Sequence, residues 1–508
     1  MPFMKVFTTA QIRELDAYTI EHEPVASIEL MERAALACTQ WLCAHFDRHA
    51  NLIMLTGPGN NGGDGWAIAR LLADKGYTGI RLYQTSSSSS LSPDAAINRQ
   101  RLLEQHKVPV SVIDSTEQFP EIRSTDIVID ALFGSGLSRL LSGQAAELVK
   151  YVNKSGCRVI SIDIPSGLMG EDNSGNTAEN TIIADHTLTF QFPKLAFFFP
   201  ENEVFIGDWT ILDIGLCKKS IEEMNSPYCY IERDNVARII KPRSKFSHKG
   251  TYGHALLIAG SYGMMGAAIL ASRACLRTGA GLVSAHIPVK GYEIMQASVP
   301  EVIVNLDPSE EFFSRVPDLI PYKAVGIGPG TGTRAVVLKA FKDLLQKYTG
   351  PMVIDADALN LLAARKELIG QIPMNSILTP HPKEFERIAG PCKNGYDRIM
   401  KQTDFARHHN VILVYKGAYT TITLPDGSCY INSTGNPGMA SGGSGDVLTG
   451  MILSLLAQGY DPADAAITGV YLHGLAGDIA AQRTGRQALI ASDIIDNIGN
   501  AFLNTEIV

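Results

Sequence analysis

Apolar positions along the chain recur in two alternating rhythms. Between Thr9 and Glu23, and again between Ile28 and Phe46, the spacing is helical, with Leu30, Ala34, Ala37 and Trp41 at i, i+4, i+7 and i+11 on one face. Nearly continuous apolar runs follow at Leu52–Thr56, Ile80–Gln84, Val110–Ile113, Ile127–Asp130 and Val159–Asp163. Helical patterns at Gly65–Lys75, Pro93–His106 and Ala145–Asn153 separate them. Strands that are apolar on both faces and alternate with helices predict a parallel sheet covered on both sides.

The rhythm lapses between Gly215 and Arg233, where Lys218, Lys219, Glu222 and Glu223 break the pattern. A domain boundary is expected there, giving domains over 1–217 and 232–508 joined by a linker over 218–231. The second series predicts strands at Ala255–Ala259, Leu282–Ile287, Ala324–Ile327, Met352–Asp355 and Val411–Tyr415, and a hairpin over Thr420–Leu424 and Cys429–Ile431. Its helices fall at Ala267–Thr278, Ala335–Lys347, Val447–Gln458 and Ala463–Thr484. Both halves are therefore α/β. Ser86–Ser90 reads as a flexible connection.

Composition narrows the function classes. A chain of 508 residues with 45% hydrophobic and 19% charged residues has the make-up of a globular enzyme with two or three cores. A net charge of −8 argues against sequence-independent nucleic-acid binding, which needs a basic footprint. The eight cysteines show no zinc or redox spacing, and the closest pair is Cys38 and Cys43. No apolar stretch approaches the roughly 18 residues of a membrane span, and the N-terminus lacks a signal-peptide layout. A cytoplasmic enzyme without membrane or nucleic-acid partners is expected.

Two glycine-rich segments carry the candidate chemistry. Gly57–Gly65 reads Gly-Pro-Gly-Asn-Asn-Gly-Gly-Asp-Gly, and Asn436–Asp446 reads Asn-Pro-Gly-Met-Ala-Ser-Gly-Gly-Ser-Gly-Asp. Each combines amides that can approach an anion with a carboxylate that can move a proton, just before a helical pattern. In the first half Asp64, Asp130 and Asp163 all fall at strand ends, the rim on which ligands of a parallel sheet bind. Taken singly, each also reads as a loop or cap residue. No clean G-x-G-x-x-G with a ribose-binding acid follows the first strand, so a dehydrogenase reading fails.

The first half resembles the NAD(P)H-hydrate epimerase domain. The matching motifs are the Asn-Asn-Gly-Gly-Asp-Gly turn, a strand ending in Asp130 before a glycine loop, and Asp163-Ile-Pro-Ser-Gly167. The resemblance implies a Rossmann-like three-layer α/β/α domain. Asn60, Asn61, Gly62, Gly63, Asp64, Gly134, Ser135, Gly136, Leu137, Ser138, Arg139, Leu140 and Asp163 would contact the hydrated nicotinamide nucleotide. Asn61, Asp130 and Ser166 would hold potassium, which suits their hard oxygen donors. Asp163 would be the acid/base, with a pKa tuned towards neutrality.

The second half resembles ribokinase-like small-molecule kinases and, more closely, their dehydratase relatives acting on hydrated NADH and NADPH. The resemblance rests on Gly442-Gly-Ser-Gly-Asp446, Ser247–Gly253, Gly260–Ala267, Gly326–Gly330, Asp355–Asn360, Thr379–Phe385 and Lys416–Thr420. It implies a ribokinase-like α/β domain in which Ala267, Gly330, His381 and Asp446 face the substrate. Lys416, Gly417, Ala418, Tyr419, Thr420 and Gly445 would face the adenine nucleotide, ADP by preference over ATP, accompanied by magnesium. Asp446 would be the catalytic base. Read from the residues alone, His381 is a buried core histidine and Lys416 is equally a surface charge. Asp355 and Asp357 read as strand-end caps without a catalytic role.

The combined expectation is a bifunctional repair enzyme for NADHX and NADPHX. It would be a homo-oligomer of four or more copies, with Leu30 and Trp41 available to pack on another subunit. The competing readings are a kinase of a small hydroxymethyl or hydroxyethyl compound and a non-catalytic nucleotide sensor.

Overall fold

The computed structural model describes residues 3–23, 25–85 and 90–506. Residues 86–89 of the serine-rich connection lie outside that set. The chain divides into two compact units, one of Lys5–Ser226 with Lys393–Tyr396, the other of Met1–Met4, Pro227–Cys392 and Asp397–Val508.

The first unit is built on seven parallel strands in the order Val110–Ile113, Ile80–Thr85, Leu52–Thr56, Ile127–Ala131, Arg158–Ile162, His186–Phe190, Asp208–Leu212. Alternation of side chains sorts the strand residues onto two cores. Leu52 and Met54 pack with Trp66, Ile68 and Leu42 on one face, while Ile53 and Leu55 pack with Leu148, Val149 and Val152 on the other. The result is three layers, helix on sheet on helix. Leu30, expected to face a partner subunit, is buried in this unit's own core.

From Leu52–Thr56 the chain winds outward in one direction, and from Ile127–Ala131 in the other. The switch point lies between these two strands. They approach so closely beyond their ends that a Cβ on Gly57 would stand 1.9 Å from the Leu132 carbonyl oxygen. Only glycine fits there. The strands His186–Phe190 and Asp208–Leu212 had no clear apolar signature, because Thr187, Thr189 and Thr210 interrupt it.

The second unit repeats the plan. Seven strands run parallel in the order Ile412–Tyr415, Ile377–Leu378, Met352–Ile354, Ala324–Ile327, His254–Ile258, Leu282–Ile287, Ile303–Leu306. Thr421–Thr423 adds antiparallel beside Ile412–Tyr415 and pairs in turn with Cys429–Ile431. Helices Met265–Arg277, Ser444–Ala457, Pro462–Thr484 and Ala491–Thr505 contribute to the core on one face. Ala335–Lys347, Ala356–Ala364 and Pro382–Ala389 contribute to the core on the other.

Helix Ser444–Ala457 is nearly all buried and meets helix Met265–Arg277 at Gly450, where an added Cβ would lie 2.1 Å from the Ala271 carbonyl oxygen. Backbone cannot yield as a side chain does. Gly450→Ala is expected to destabilise this unit by about 1–3 kcal/mol, the cost of overpacking a tight core. Denaturant unfolding followed through the second unit's transition measures it, and an unchanged midpoint would contradict the close approach.

Candidate active sites

The first glycine segment enters its helix at Asn60, whereas the second stays a loop up to Gly443 and contributes only Ser444, Gly445 and Asp446 to a first helical turn. Asn60–Asp74 is one helix and Ser444–Ala457 the other. Glycine and asparagine are weak helix formers, which is why sequence patterning started these helices several residues late.

In the first unit a cleft of about 470 Å³ opens at the switch point. It is lined by Asn60, Asn61 and Asp64 from the helix, by Gly134–Arg139 from the next loop, and by Asp163. Gly62, Gly63 and Leu140 are not among its lining residues. A Cβ on Gly62 would strike the Gly57 carbonyl and one on Gly63 would strike Met31 Sδ, so close packing favours glycine at both positions. Leu140 is exposed.

Asp163 sits one residue past its strand with φ of +65°, a strained conformation outside glycine. Its carboxylate meets Lys194 Nζ at 2.8 Å and accepts a hydrogen bond from the Ser135 amide at 2.8 Å. Lys194 is itself 2% exposed and also donates to Thr189 Oγ1 at 2.9 Å. Burial alone would raise the Asp163 carboxyl, but the lysine charge and these hydrogen bonds outweigh it and hold it below the ordinary value. The expectation of a near-neutral Asp163 is therefore corrected. The raised carboxyls are its neighbours: burial, then the charge of Asp163, lifts Asp64 well above its ordinary range and Asp16 to about 6.

Below the cleft, Asp130 is fully buried and accepts from Ser166 Oγ at 2.6 Å, the Ser166 amide at 2.9 Å and Ser161 Oγ at 2.8 Å. Both side-chain amide atoms of Asn61 are buried without a hydrogen-bond partner. An unpartnered buried amide oxygen costs free energy unless a ligand satisfies it.

Sequence reasoning missed Lys194, Arg13 and Asp16. Arg13 and Asp16 line the cleft from the helix Thr9–His22, and Arg13 donates to the Gly136 carbonyl at 2.9 Å. The available signal for Lys194 was its position as a single charge inside the aromatic run Phe190–Phe199.

In the second unit Ile258, Ile327, Ile354, Leu378 and Leu413 lie in register across five adjacent strands. The segments beyond them hold the site. Gly330 (φ +65°) backs onto Ala267 and Met264. His381 caps helix Pro382–Ala389, its Nδ1 accepting from the amides of Lys383 and Glu384 at 3.1 and 3.4 Å. Its side chain is 45% exposed, so the core-histidine reading fails. Burial and then the Lys416 charge lower its pKa, leaving a neutral ring.

Lys416 Nζ meets Asp355 Oδ1 at 2.9 Å, and Thr449 Oγ1 donates to Asp355 Oδ2 at 2.7 Å. Asp355 makes no side-chain cap, contrary to the cap reading, and Lys416 is no free surface charge. Asp357 instead accepts from the Gly332 amide at 2.9 Å. Gly417–Thr420 forms a tight turn closed by Thr420 Oγ1 donating to the Gly417 carbonyl at 3.0 Å. Gly443, with φ of +93°, swings the chain into helix Ser444–Ala457, whose first turn carries Gly445 and Asp446. A Cβ on Gly445 would lie 3.3 Å from Lys416 Nζ, so amide turn, lysine and Asp355 share one point. Burial, then the Asp355 charge, raises Asp446 to about 6 against the opposing pull of Lys416.

Two family descriptions match this chain: NAD(P)H-hydrate dehydratase over residues 255–500 and YjeF-related protein N-terminus over residues 27–196. A bifunctional NAD(P)H-hydrate repair enzyme from Moorella thermoacetica is 34% identical, covering 99% of this chain and 97% of that protein. The chain belongs to the bifunctional NAD(P)H-hydrate repair enzyme family. The Escherichia coli family member is 32% identical over 92% of this chain and 88% of its own. A Bacillus subtilis structure, described as an ADP/ATP-dependent NAD(P)H-hydrate dehydratase co-crystallized with ATP/Mg2+, is 32% identical over 54% of this chain and 98% of that one, with a TM-score of 0.49.

Lys194→Met leaves the Asp163 charge buried and unpaired. It is expected to destabilise the first unit by about 3–5 kcal/mol. Lys194→Met with Asp163→Asn should regain much of that loss, and equal destabilisation in both variants would refute the pairing.

Proposed function

We propose that this chain repairs hydrated NADH and NADPH in two steps, epimerising the R and S hydrates in the first unit and dehydrating the S form in the second. The observation that carries the reading is Asp446, a raised carboxyl at the head of an amide-bearing helix turn beside the Lys416–Asp355 pair. Family membership supplies the substrate class.

In the first unit, the proposed roles divide between two carboxyls that their surroundings drive apart. Asp163, held as an anion by Lys194, takes up a proton from the water that enters at C6. Asp64, favoured in its neutral form, supplies one on the other side. Potassium would be held by Asn61, Asp130 and Ser166; the orphaned Asn61 amide and the buried Asp130 carboxylate fit a hard cation. When bound it would contribute positive charge to the cleft. The loop Gly134–Arg139 and Asn60 border the cleft where the nucleotide would lie.

In the second unit, Asp446 removes the proton of the C6 hydroxyl and the oxygen attacks the terminal phosphorus of ADP. The bond from that phosphorus to AMP breaks. The C6 phosphate ester then departs as phosphate while a proton leaves C5, restoring the C5–C6 double bond. The Gly443–Asp446 amides and the Lys416 ammonium face the charge that develops on the transferring group. Lys416–Thr420 borders the adenosine portion, and His381, Ala267 and Gly330 border the damaged ring. Magnesium would enter with the nucleotide phosphates. A stereospecific second site drains only one epimer, so fusion to an epimerase lets the whole pool leave through one exit.

Separated R and S hydrates with ADP, followed by recovery of reduced-cofactor absorbance, test the reading. A kinase of another alcohol would leave the absorbance unchanged. Asp163→Ala should lose epimerisation and keep dehydration of S; Asp446→Asn should lose dehydration by about 10²–10⁴-fold and keep epimerisation. Loss of both activities in either variant would contradict two independent sites.

Because Asp446 acts ionised, kcat/KM for dehydration should rise with pH through about 6 and level above it. Its raised value has an opposite consequence for folding. The stability associated with its neutral form is present below the ordinary carboxyl range and is lost as pH rises through about 6. Asp446→Asn should therefore melt higher than the parent at pH 8, and a lower melting temperature there would count against the burial.

A further inference from the structure

The loop that delivers Asp446 runs along helix Pro462–Thr484. Thr434 Oγ1 donates to the Tyr471 carbonyl at 2.8 Å, and an added Cβ on Gly474 or Gly477 would strike Thr434 or Met439. At its start, the Asp478 carboxylate accepts two bonds, from the Gly435 amide at 2.9 Å and from Asn436 Nδ2 at 2.9 Å. Asn436 Oδ1 in turn accepts from the Gly438 amide at 3.0 Å. At its end, His473 Nε2 lies 3.0 Å from the Ser444 carbonyl and 3.4 Å from Ser444 Oγ. His473 and Asp478 are five positions apart, about 7.5 Å along the helix axis.

We infer that His473 and Asp478 are positioning residues which hold the loop Gly435–Asp446 at both ends and so set where its amides and the Asp446 carboxylate point. The inference rests on the phosphoryl-transfer reading of that loop. Burial lowers the His473 pKa to about 4, so the ring bonds Ser444 as a neutral donor throughout the working pH range. Glycine leaves this loop little stiffness of its own. The helix beneath it supplies the rigidity, because its own side chains are packed into the core.

The decisive variant exchanges the partners. Asn436→Asp combined with Asp478→Asn reproduces every bond at the loop entrance. The amide introduced at position 478 accepts from Gly435 and donates to the carboxylate introduced at position 436, which still accepts from Gly438. Asn436→Asp alone sets two carboxylates against each other. Each single change, and His473→Ala, is expected to lower kcat for ADP-dependent dehydration about 10–100-fold with KM for ADP within about threefold. The exchange variant, and His473→Gln, should recover to within about threefold of the parent. Parental kcat in the single variants, or no recovery on exchange, would overturn the inference.

Hydrogen–deuterium exchange gives a readout independent of activity. Amides of residues 435–446 should exchange about tenfold faster in the single variants and return to parental rates in the exchange variant. Unchanged rates would overturn the inference whatever the kinetics. If exchange follows this pattern while the parent shows no nucleotide-dependent dehydration, the phosphoryl-transfer reading falls and the clamp stands.

Discussion

Each half of this chain is organised around a lysine–aspartate pair at the carboxyl end of a parallel strand: Lys194 with Asp163 at 2.8 Å and Lys416 with Asp355 at 2.9 Å. Both carboxylates are almost withdrawn from water. Such a pair is a poor way to gain stability, since desolvation consumes most of the attraction. Its value lies in what it does to its neighbours. A fixed, ionised aspartate in a water-poor cleft opposes ionisation of the next carboxyl. In the first unit that carboxyl is Asp64; in the second it is Asp446. In the first unit Asp163 is thereby held below its ordinary value while Asp64 is raised, without any residue beyond ordinary aspartate and lysine.

The sheet makes this possible. Parallel strands all end on one edge, so groups distant in sequence reach one point with no loop crossing the core. At the switch point of the first unit the Gly57 and Leu132 backbones nearly touch, and the helix Asn60–Asp74 begins beside the loop that follows the neighbouring strand. In the second unit the in-register strand ends bring Asp355 from one connection and Lys416 from another into contact. Most of the site side chains project from strand ends and helix starts whose remaining residues are core.

The glycine segments, Asp163 and Asp446 stand out in the sequence because their motifs are local, whereas Lys416 entered only through the family resemblance. Most strands stand out as well, since their apolar runs are unbroken. Their partners were not legible. Lys194 lies 31 residues from Asp163, and Asp355 lies 61 from Lys416. Nothing in periodicity pairs them, and at the level of single residues Asp355 is indistinguishable from a cap. The near-neutral pKa expected for Asp163 followed from its acid/base role alone, without the lysine in view. Helix starts were read late because glycines and asparagines that bind or pack have the composition of turns.

Asp446 shows which force decides at such a helix start. Its place in the first turn puts it in the field of the helix dipole, which favours an anion by about 0.3–1 kcal/mol. Lys416 pulls in the same direction. Yet the carboxyl is lifted from an ordinary value near 3.8 to about 6, on the order of 3 kcal/mol against the anion. Burial and the charge of Asp355 therefore exceed dipole and lysine together. Filling the amide cradle with phosphate adds negative charge and excludes more water, both of which push the carboxyl further towards holding a proton. In the proposed reaction, a base so placed would be strengthened as its substrate arrives, and the proton it takes would be one that the assembled site already favours on that oxygen.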